Sequence, residues 1–210
     1  DLKSVAAALH TSHFTPHTSH LTPHTSHLAA GTVRLVYSGS TAGWQSFDLL
    51  KRLLTHALDT QPALHVLFLS KRDANNSALE SAYPGRVEVK WLDHAQVAQA
   101  LATCDYGLMV RERTITNQVA SPTKFAEYLS NGLKVISNSG LGDFSELIRS
   151  EGLGVVLEEN HPIPPLAPVP QEERASTGVL GGLVVAQQHL GGLPLVHPLE
   201  LGRRTDGEGE

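Results

Sequence analysis

The sequence predicts an α/β fold with one parallel sheet of about six strands, helices on both faces of the sheet, and a disordered tail on either side. Short apolar runs rich in β-branched residues alternate with helix-like stretches across residues 32–160. The stretches between successive runs are long enough for the crossovers that parallel strands require. The hydrophobic pattern stops on both sides of this region, so a single domain is expected there.

The expected strands are near-continuous apolar runs, as is typical of strands buried on both faces of a sheet. Each run is followed by polar or glycine-containing sequence that ends it. Since ligands bind beyond the carboxyl ends of such strands, the loops that follow them are the candidate functional regions. The six runs are VRLVYSG (33–39), ALHVLFLS (63–70), VEVKWL (87–92), DYGLMVR (105–111), LKVISNS (133–139) and LGVVLEE (153–159).

Helical signals lie between these runs. Asp93 and Gln96 are spaced as an N-terminal capping box, which places a helix before the fourth strand. Another helix is expected at 122–132, and Asp143 with Glu146 precedes a further one. The first helix is predicted by apolar residues at helical spacing, namely Phe47, Leu50, Leu54 and Leu58.

Both flanks differ in composition from the domain. Residues 1–31 are a low-complexity His/Thr/Ser repeat of period seven, in which Pro16 and Pro23 exclude a helix. Six of the 12 histidines lie there. A metal-binding segment and a tandem duplication without specific function are the two interpretations of them. Residues 161–210 form a Pro/Gly-rich tail, in which regular structure is not expected.

Composition narrows the possible partners. The net charge is −5 with no basic stripe, so no nucleic-acid partner is expected. No run of about 20 apolar residues is present, so no transmembrane segment is predicted. The single cysteine, Cys104, cannot form an internal disulfide and is expected to be buried, which fits a cytoplasmic protein. No cofactor and no metal ion are predicted.

The strongest chemical signal is SPTKFAEYLSNG at 121–132. Ser121 is a suitable N-cap and proline follows at the first helical position, so free backbone N–H groups at the helix start offer an anion site. Lys124 adds a positive charge to that site. Glu127 lies one turn further on, and its carboxylate is suited to accept hydrogen bonds from two ribose hydroxyls. The alternative is an exposed Lys–Glu ion pair without function.

The stretch RERTITNQVASPTKFAEYLSNGLKVIS resembles the nucleotide-sugar motif of family-4, GT-B-fold glycosyltransferases. The stretches VKWLDHAQVAQALATCDYGLMV and YSGSTAGWQSFDLLKRLL resemble that family's preceding strand–helix–strand unit and its first glycine loop and helix. The resemblance covers about 130 residues in consistent order. It identifies residues 32–160 as similar to the Rossmann-like, C-terminal donor-binding domain of these enzymes.

That resemblance implies a donor site for a nucleotide-diphosphate sugar, a UDP- or GDP-sugar. Glu127 matches the second glutamate of the family's E-x7-E motif, which holds the ribose, and the glycine loop approaches the donor phosphates. The backbone at the start of the same helix receives the diphosphate, and Val87–Leu92 with the following loop lies against the base. The site residues expected on this basis are Gly39, Ser40, Lys71, Arg111, Ser121, Thr123, Lys124 and Glu127.

The sequence departs from the family's pattern at several points, two of which lie in the motifs of the donor site. The first glutamate of E-x7-E falls at Val119, which cannot bond a sugar hydroxyl. The basic pair that usually follows the glycine loop is replaced by Thr41, Ala42 and Gln45. Other basic residues offer a replacement for that positive charge, and each is alternatively a solvated surface charge. They are Lys71, Arg72, Arg111 and Arg113.

The family's enzymes have a second, N-terminal domain that binds the acceptor, and nothing before residue 30 resembles it. The chain also begins with Asp1, so a fragment is expected, with the missing domain as its natural structural partner. A donor-binding half with little transferase activity of its own is therefore predicted, and its acceptor is unknown. A non-catalytic or truncated nucleotide-sugar-binding module is the main alternative, and a sugar-nucleotide epimerase is a weaker one. Whether this chain is an enzyme stays open.

Overall fold

The computed structural model describes residues 31–39, 47–111, 123–139, 143–159 and 161–189. Over these ranges β-strands and α-helices alternate. The strands are β1 (Val33–Ser38), β2 (Leu64–Leu69), β3 (Val87–Lys90), β4 (Tyr106–Met109), β5 (Lys134–Asn138) and β6 (Gly154–Leu157). The helices are α1 (Phe47–Thr60), α2 (Ala74–Ala82), α3 (His94–Ala102), α4 (Thr123–Ser130), α5 (Asp143–Ser150) and α6 (Gln171–His189).

The six strands form one sheet in the order β3-β2-β1-β4-β5-β6, and every neighbouring pair is parallel. The predicted α/β class and six-stranded parallel sheet are therefore confirmed. This strand order is that of the doubly wound Rossmann-like fold. The order reverses between β1 and β4, so the crevice at their carboxyl ends is where such a fold binds its ligands.

Pairing at this reversal point is short. β1 and β2 pair along six positions, from Val33 opposite Leu64 to Ser38 opposite Leu69. β1 and β4 pair at two positions, and the second of them joins Val36 to Gly107. Beyond that position the carboxyl ends of β1 and β4 separate, which opens the sheet on the side where the glycine loop begins.

Apolar side chains cover both faces of the sheet. Helices α1 and α2 pack on one face, where Leu54 and Phe68 are fully buried. Helices α3, α4 and α5 pack on the other, where Leu101 and Leu129 are fully buried. The predicted capping pair forms at the start of α3, where Gln96 Oε1 accepts the Asp93 N–H at 3.3 Å.

Residues 161–170, which we call the strap, extend the packed domain past the expected end at residue 160. Ile163 and Val169 are buried against the α1 face of the sheet, and the partly buried Leu166 packs beside them. These three residues recur every third position. Prolines 162, 164, 165, 168 and 170 fix φ near the polyproline II value, and that conformation has three residues per turn. A period of three resembles neither a helix nor a strand, so the sequence pattern suggests a tail.

The second difference is α6, which lies where the sequence analysis expects no regular structure. It packs on α4, and the glycines that argue against a helix form part of the contact. A Cβ at Gly181 would lie 2.2 Å from the Ser130 backbone nitrogen, so only glycine permits this approach. Lys134 on β5 forms an ion pair with Glu173, which ties the first turn of α6 to the sheet.

Residues 1–30 and 190–210 lie outside the described ranges, and with them the histidine repeat and the end of the expected tail. Among the described helices, none combines the length and the apolar character needed to cross a membrane.

Candidate functional site

A cleft of about 820 Å³ opens at the carboxyl ends of β1, β2 and β3. We call it the β1–β3 cleft. It brings together three residues that the sequence analysis proposes for one site, namely Gly39, Lys71 and Lys124. Its lining consists of Ser38, Gly39, Leu69, Lys71, Asp73, Trp91, Leu92, His94, Val97 and Lys124.

Helix α4 brings Lys124 to the cleft from its first turn. Lys124 Nζ lies 2.5 Å from Glu127 Oε2, one helical turn along, with about a third of each side chain exposed. The ion pair expected as the alternative interpretation is thus formed, and both groups stay accessible to a ligand. Thr123 begins the helix with an exposed side chain. Ser40 and Ser121 lie outside the described residues.

Lys71 follows β2 and lies beside an indole ring. Its Nζ is 5.2 Å from the centroid of Trp91, within the range of a cation–π contact. Trp91 is 66% exposed, a large value for this side chain. The sequence analysis assigns Trp91 and Leu92 to a strand, but β3 ends at Lys90 and both residues line the cleft. Their position at the carboxyl end of a predicted strand was the feature of the sequence that indicated a place in the cleft lining.

Arg72, the other basic residue in this loop, forms contacts with Glu80 and Val89 and does not line the cleft. Its guanidinium pairs with Glu80 on α2 and also donates to the Val89 carbonyl at 3.4 Å. Lys71 is therefore the basic residue of the loop that lines the cleft. The Lys71 backbone is also held, because Asn76 Nδ2 donates to its carbonyl at 2.8 Å.

The charges that line the β1–β3 cleft favour an anion. Asp73 is the acidic residue in the lining, and its Oδ1 caps α2 by accepting the N–H groups of Asn75 at 2.8 Å and Asn76 at 3.0 Å. Lys71 and Lys124 line the same cleft. Two cations beside a helix start provide the kind of positive potential that attracts phosphate groups.

Arg111 lies in a different cleft. That cleft, of about 600 Å³, lies between α1 and the carboxyl ends of β4, β5 and β6. The Arg111 backbone is fixed on both sides by Asn138, whose Oδ1 accepts the Arg111 N–H at 2.9 Å and whose Nδ2 donates to the Arg111 carbonyl at 2.8 Å. The structure therefore does not bring Arg111 into the lining that contains Lys71 and Lys124. Arg113 lies outside the described residues.

Tyr128 is a residue that the sequence analysis does not single out. Its side chain is fully buried, and its hydroxyl accepts the Ser38 N–H at 3.0 Å. The ring lies against Gly107, where an added Cβ would be 2.3 Å from the ring carbons. Burial is the main reason that the pKa of the Tyr128 hydroxyl is raised, so it stays protonated. The signal in the sequence is its spacing of three from Phe125 on the buried face of α4.

The described residues contain no group of three or more His, Cys, Asp or Glu side chains arranged to hold a metal ion. The histidine repeat lies outside those residues, so its two interpretations are unchanged.

No protein-family profile matches the sequence, and no curated protein matches it. Solved structures do match. A UDP-forming α,α-trehalose-phosphate synthase from Burkholderia vietnamiensis has a TM-score of 0.51 and 10% identity, over 76% of this chain and 43% of its own. WaaG, a glycosyltransferase of lipopolysaccharide biosynthesis, has a TM-score of 0.47 and 15% identity, over 78% and 40%. The C-terminal domain of a group 1 glycosyl transferase from Francisella tularensis has a TM-score of 0.46 and 9% identity, over 74% and 77%.

At these identities the likeness establishes the fold. The chain resembles GT-B group 1 glycosyltransferases and has their Rossmann-like α/β architecture, which confirms the resemblance expected from the sequence at that level. The chain spans less than half the length of the trehalose-phosphate synthase and of WaaG.

Proposed function

We propose that this domain binds a nucleotide-diphosphate sugar in the β1–β3 cleft and acts as the donor-binding half of a glycosyltransferase. One observation carries the proposal. Lys71 after β2, Lys124 in the first turn of α4 and Gly39 after β1 line a single cleft beside the point where the strand order reverses. These residues are far apart in the sequence, so the fold alone brings them together.

Each part of the donor has a partner of suitable chemistry in this arrangement. The diphosphate lies near the start of α4, where the helix dipole and the Lys124 ammonium both favour negative charge. Lys71 supplies the second cation. The exposed Trp91 ring offers an apolar face on which a nucleotide base stacks. In this proposal the base lies at the β3 side of the cleft and the sugar lies toward β4.

Glu127 holds the ribose in this proposal. Its pair with Lys124 is a partly exposed contact across one helical turn, and ion pairs at helix surfaces contribute little to stability. A ligand can therefore exchange that contact for two others, one from its phosphate to Lys124 and one from its ribose hydroxyls to Glu127. Both functional groups lie on one turn of a helix whose opposite face is buried.

Titration calorimetry with UDP and GDP tests the site. We expect Lys124→Ala, Lys71→Ala and Glu127→Ala each to weaken binding about tenfold, because a hydrogen bond to a charged group contributes roughly 1.5–3 kcal/mol. Lys51→Ala is the matched control, since Lys51 is an exposed lysine on α1 that lines neither cleft. Equal dissociation constants for the control and the three site variants would contradict the proposed site.

The acceptor half of the reaction is a separate part of the proposal. Sugar transfer requires donor, acceptor and a cleft that excludes water, and this domain supplies one wall. We expect the 210-residue chain to release almost no UDP from a UDP-sugar, with or without added acceptors. Turnover near 1 s⁻¹ or above, as in ordinary enzymes, would contradict that expectation.

A non-catalytic nucleotide-sugar-binding module would bind the same ligands in the same cleft. The two functions differ in whether an acceptor-binding domain belongs to the same protein. Sequencing the complete transcript distinguishes them, because a continuous reading frame with an upstream Rossmann-like domain supports the enzyme.

A further inference from the structure

We infer that Tyr128 is a positioning residue, whose hydroxyl sets the place of the Ser38–Gly39 backbone at the floor of the β1–β3 cleft. The inference deepens the proposed function, on which its ligand-binding part rests. Its structural part concerns the strand ends alone and stands on separate observations.

The first observation is the position of the hydroxyl between two separating strands. The pairing of β1 with β4 ends at Val36 and Gly107. Two residues further along β1, the Ser38 N–H donates to the Tyr128 hydroxyl at 3.0 Å. The same hydroxyl lies 3.4 Å from the Leu108 carbonyl on β4, to which it donates. Tyr128 thus bridges β1 and β4 where their own hydrogen bonds have stopped.

The end of β1 is therefore held from both sides. On the β2 side, the Gly39 N–H donates to the Leu69 carbonyl at 3.3 Å. On the β4 side, the Tyr128 hydroxyl accepts a hydrogen bond from the Ser38 N–H. Gly39 lines the cleft, so the direction in which its backbone faces a ligand depends on these two hydrogen bonds.

The second observation is that the ring itself has little freedom. The Tyr128 side chain is fully buried, and its ring rests against Gly107, where no larger residue fits without displacing it. Tyr128 also follows Glu127 directly in α4 and lies one turn after Lys124. The helix that carries Lys124 to the cleft therefore also holds the strand that carries Gly39. A ligand that contacts both α4 and the end of β1 therefore binds to two elements that are fixed relative to one another.

Tyr128→Phe tests this inference, because it keeps the ring and removes only the hydroxyl. We expect the dissociation constant for UDP to rise about tenfold, since a displaced Ser38–Gly39 backbone no longer fits the ligand in the right geometry. We also expect faster hydrogen exchange at the Ser38 amide. The Val33 amide, which donates to the Ala63 carbonyl at the other end of β1, is the internal reference and should not change.

Phe125→Leu is the matched control. Phe125 is equally buried on α4, but its ring packs against Phe144, 4.9 Å away between centroids, and it has no hydroxyl that could accept the Ser38 N–H. We expect this variant to lower the melting temperature without changing the UDP affinity or the exchange of Ser38. A merely structural role of Tyr128 would make the two variants behave alike, which would overturn the inference.

The two levels of the proposal fail in different ways. If the unmodified protein binds no UDP, GDP or other nucleotide, the proposed function is wrong, and hydrogen exchange alone decides the role of Tyr128. In that case faster exchange at Ser38 in Tyr128→Phe supports the positioning role, and unchanged exchange overturns it. Gly107→Ala gives a second variant, because the added methyl group displaces the ring and should also accelerate exchange at Ser38 with the hydroxyl still present.

Discussion

Single side chains near the two ends of β4 add links to its neighbour β1, to the strap and to α6. Near its carboxyl end, Tyr128 bridges β4 to β1 through Leu108 and Ser38. Before its amino end, Asp105 Oδ2 accepts the Arg34 N–H at 2.8 Å, and Asp105 Oδ1 accepts the Val169 N–H at 2.9 Å. Asp105 Oδ1 also pairs with Arg174 of α6 at 2.5 Å. A buried carboxylate with this many donors is satisfied, and it fastens both the strap and α6 to the sheet.

Local sequence pattern was sufficient to propose some of the candidate site residues, and the structure shows why it missed others. Lys124 and Glu127 could be paired from helical spacing alone, since both lie on α4. Tyr128 could not, because its role depends on which strands become neighbours. Nothing within a few positions of Tyr128 indicates that Ser38, 90 residues earlier, donates to its hydroxyl.

Cys104 offers a test of burial at the residue scale. It is fully buried, and burial is the main reason that its pKa is raised from 9.0 to about 11. We expect almost no alkylation by iodoacetamide at pH 8 in the native protein and rapid alkylation in denaturant, because the thiolate is the reactive form. Mass spectrometry of the intact chain gives the labelled fraction, with one site at most. Fast native labelling would contradict the packing of α3 and α6 around this residue.

The raised pKa of Cys104 also makes the free energy of unfolding depend on pH. The folded thiol holds its proton to higher pH than the unfolded thiol does, so its contribution is complete below pH 9 and is lost as the pH rises from 9 towards about 11. Labelling at pH 8 therefore reports the native packing before this loss begins.

At the scale of elements, the sequence predicts the strands and helices whose apolar residues recur at the regular period of a strand or helix. It does not predict the elements that lack such a period. Continuous apolar runs predict the strands, and apolar residues at a spacing of about 3.6 residues predict α1. The strap has a period of three, and its contacts are with distant residues. Gln61 at the end of α1 donates to the carbonyls of Ile163 and Pro164 at 3.4 and 3.1 Å and accepts the Leu166 N–H at 2.9 Å.

Helix α6 shows a related difficulty. Its Gly-Gly sequence lowers helix propensity by about 1 kcal/mol per glycine relative to alanine. The close approach of Gly181 to α4 compensates, since it allows the two helices to pack at short range. Helix propensity is a property of each residue taken singly, whereas the contact between Gly181 and α4 forms only in the folded domain. The sequence alone therefore predicts a loop at this position.

At the scale of the whole molecule, alternation of strands and helices predicts a parallel sheet but not the order of its strands. Right-handed crossovers permit several orders, and the observed β3-β2-β1-β4-β5-β6 order is the one that places the reversal point between β1 and β4. That order separates Lys71 from Arg111, which line different clefts. The location of the candidate site beyond the strand ends was therefore predictable, while the separation of Lys71 and Arg111 into two clefts was not.

The strap and α6 extend the cooperative unit of the molecule beyond residue 160, and this leads to a prediction about stability. A chain that ends at residue 160 loses the cover of Ile163, Leu166 and Val169 over the α1 face and leaves Asp105 without two of its donors. Burial of three such side chains is worth roughly 1.5–3 kcal/mol each as an upper estimate. Against a typical total of about 5–15 kcal/mol, we expect this chain to be largely unfolded or to have a much lower urea midpoint.

A chain that ends at residue 189 is the control for that truncation, because it keeps the strap and α6 while removing only residues beyond the described helix. We expect its urea midpoint to equal that of the full chain. Both truncations remove residues 190–210, so a difference between them belongs to residues 161–189 alone. If the chain ending at 160 has the same midpoint as the longer ones, the strap and α6 do not belong to the cooperative unit. The domain would then end where the sequence pattern alone places its boundary, because only residues whose burial stabilises the fold shift that midpoint.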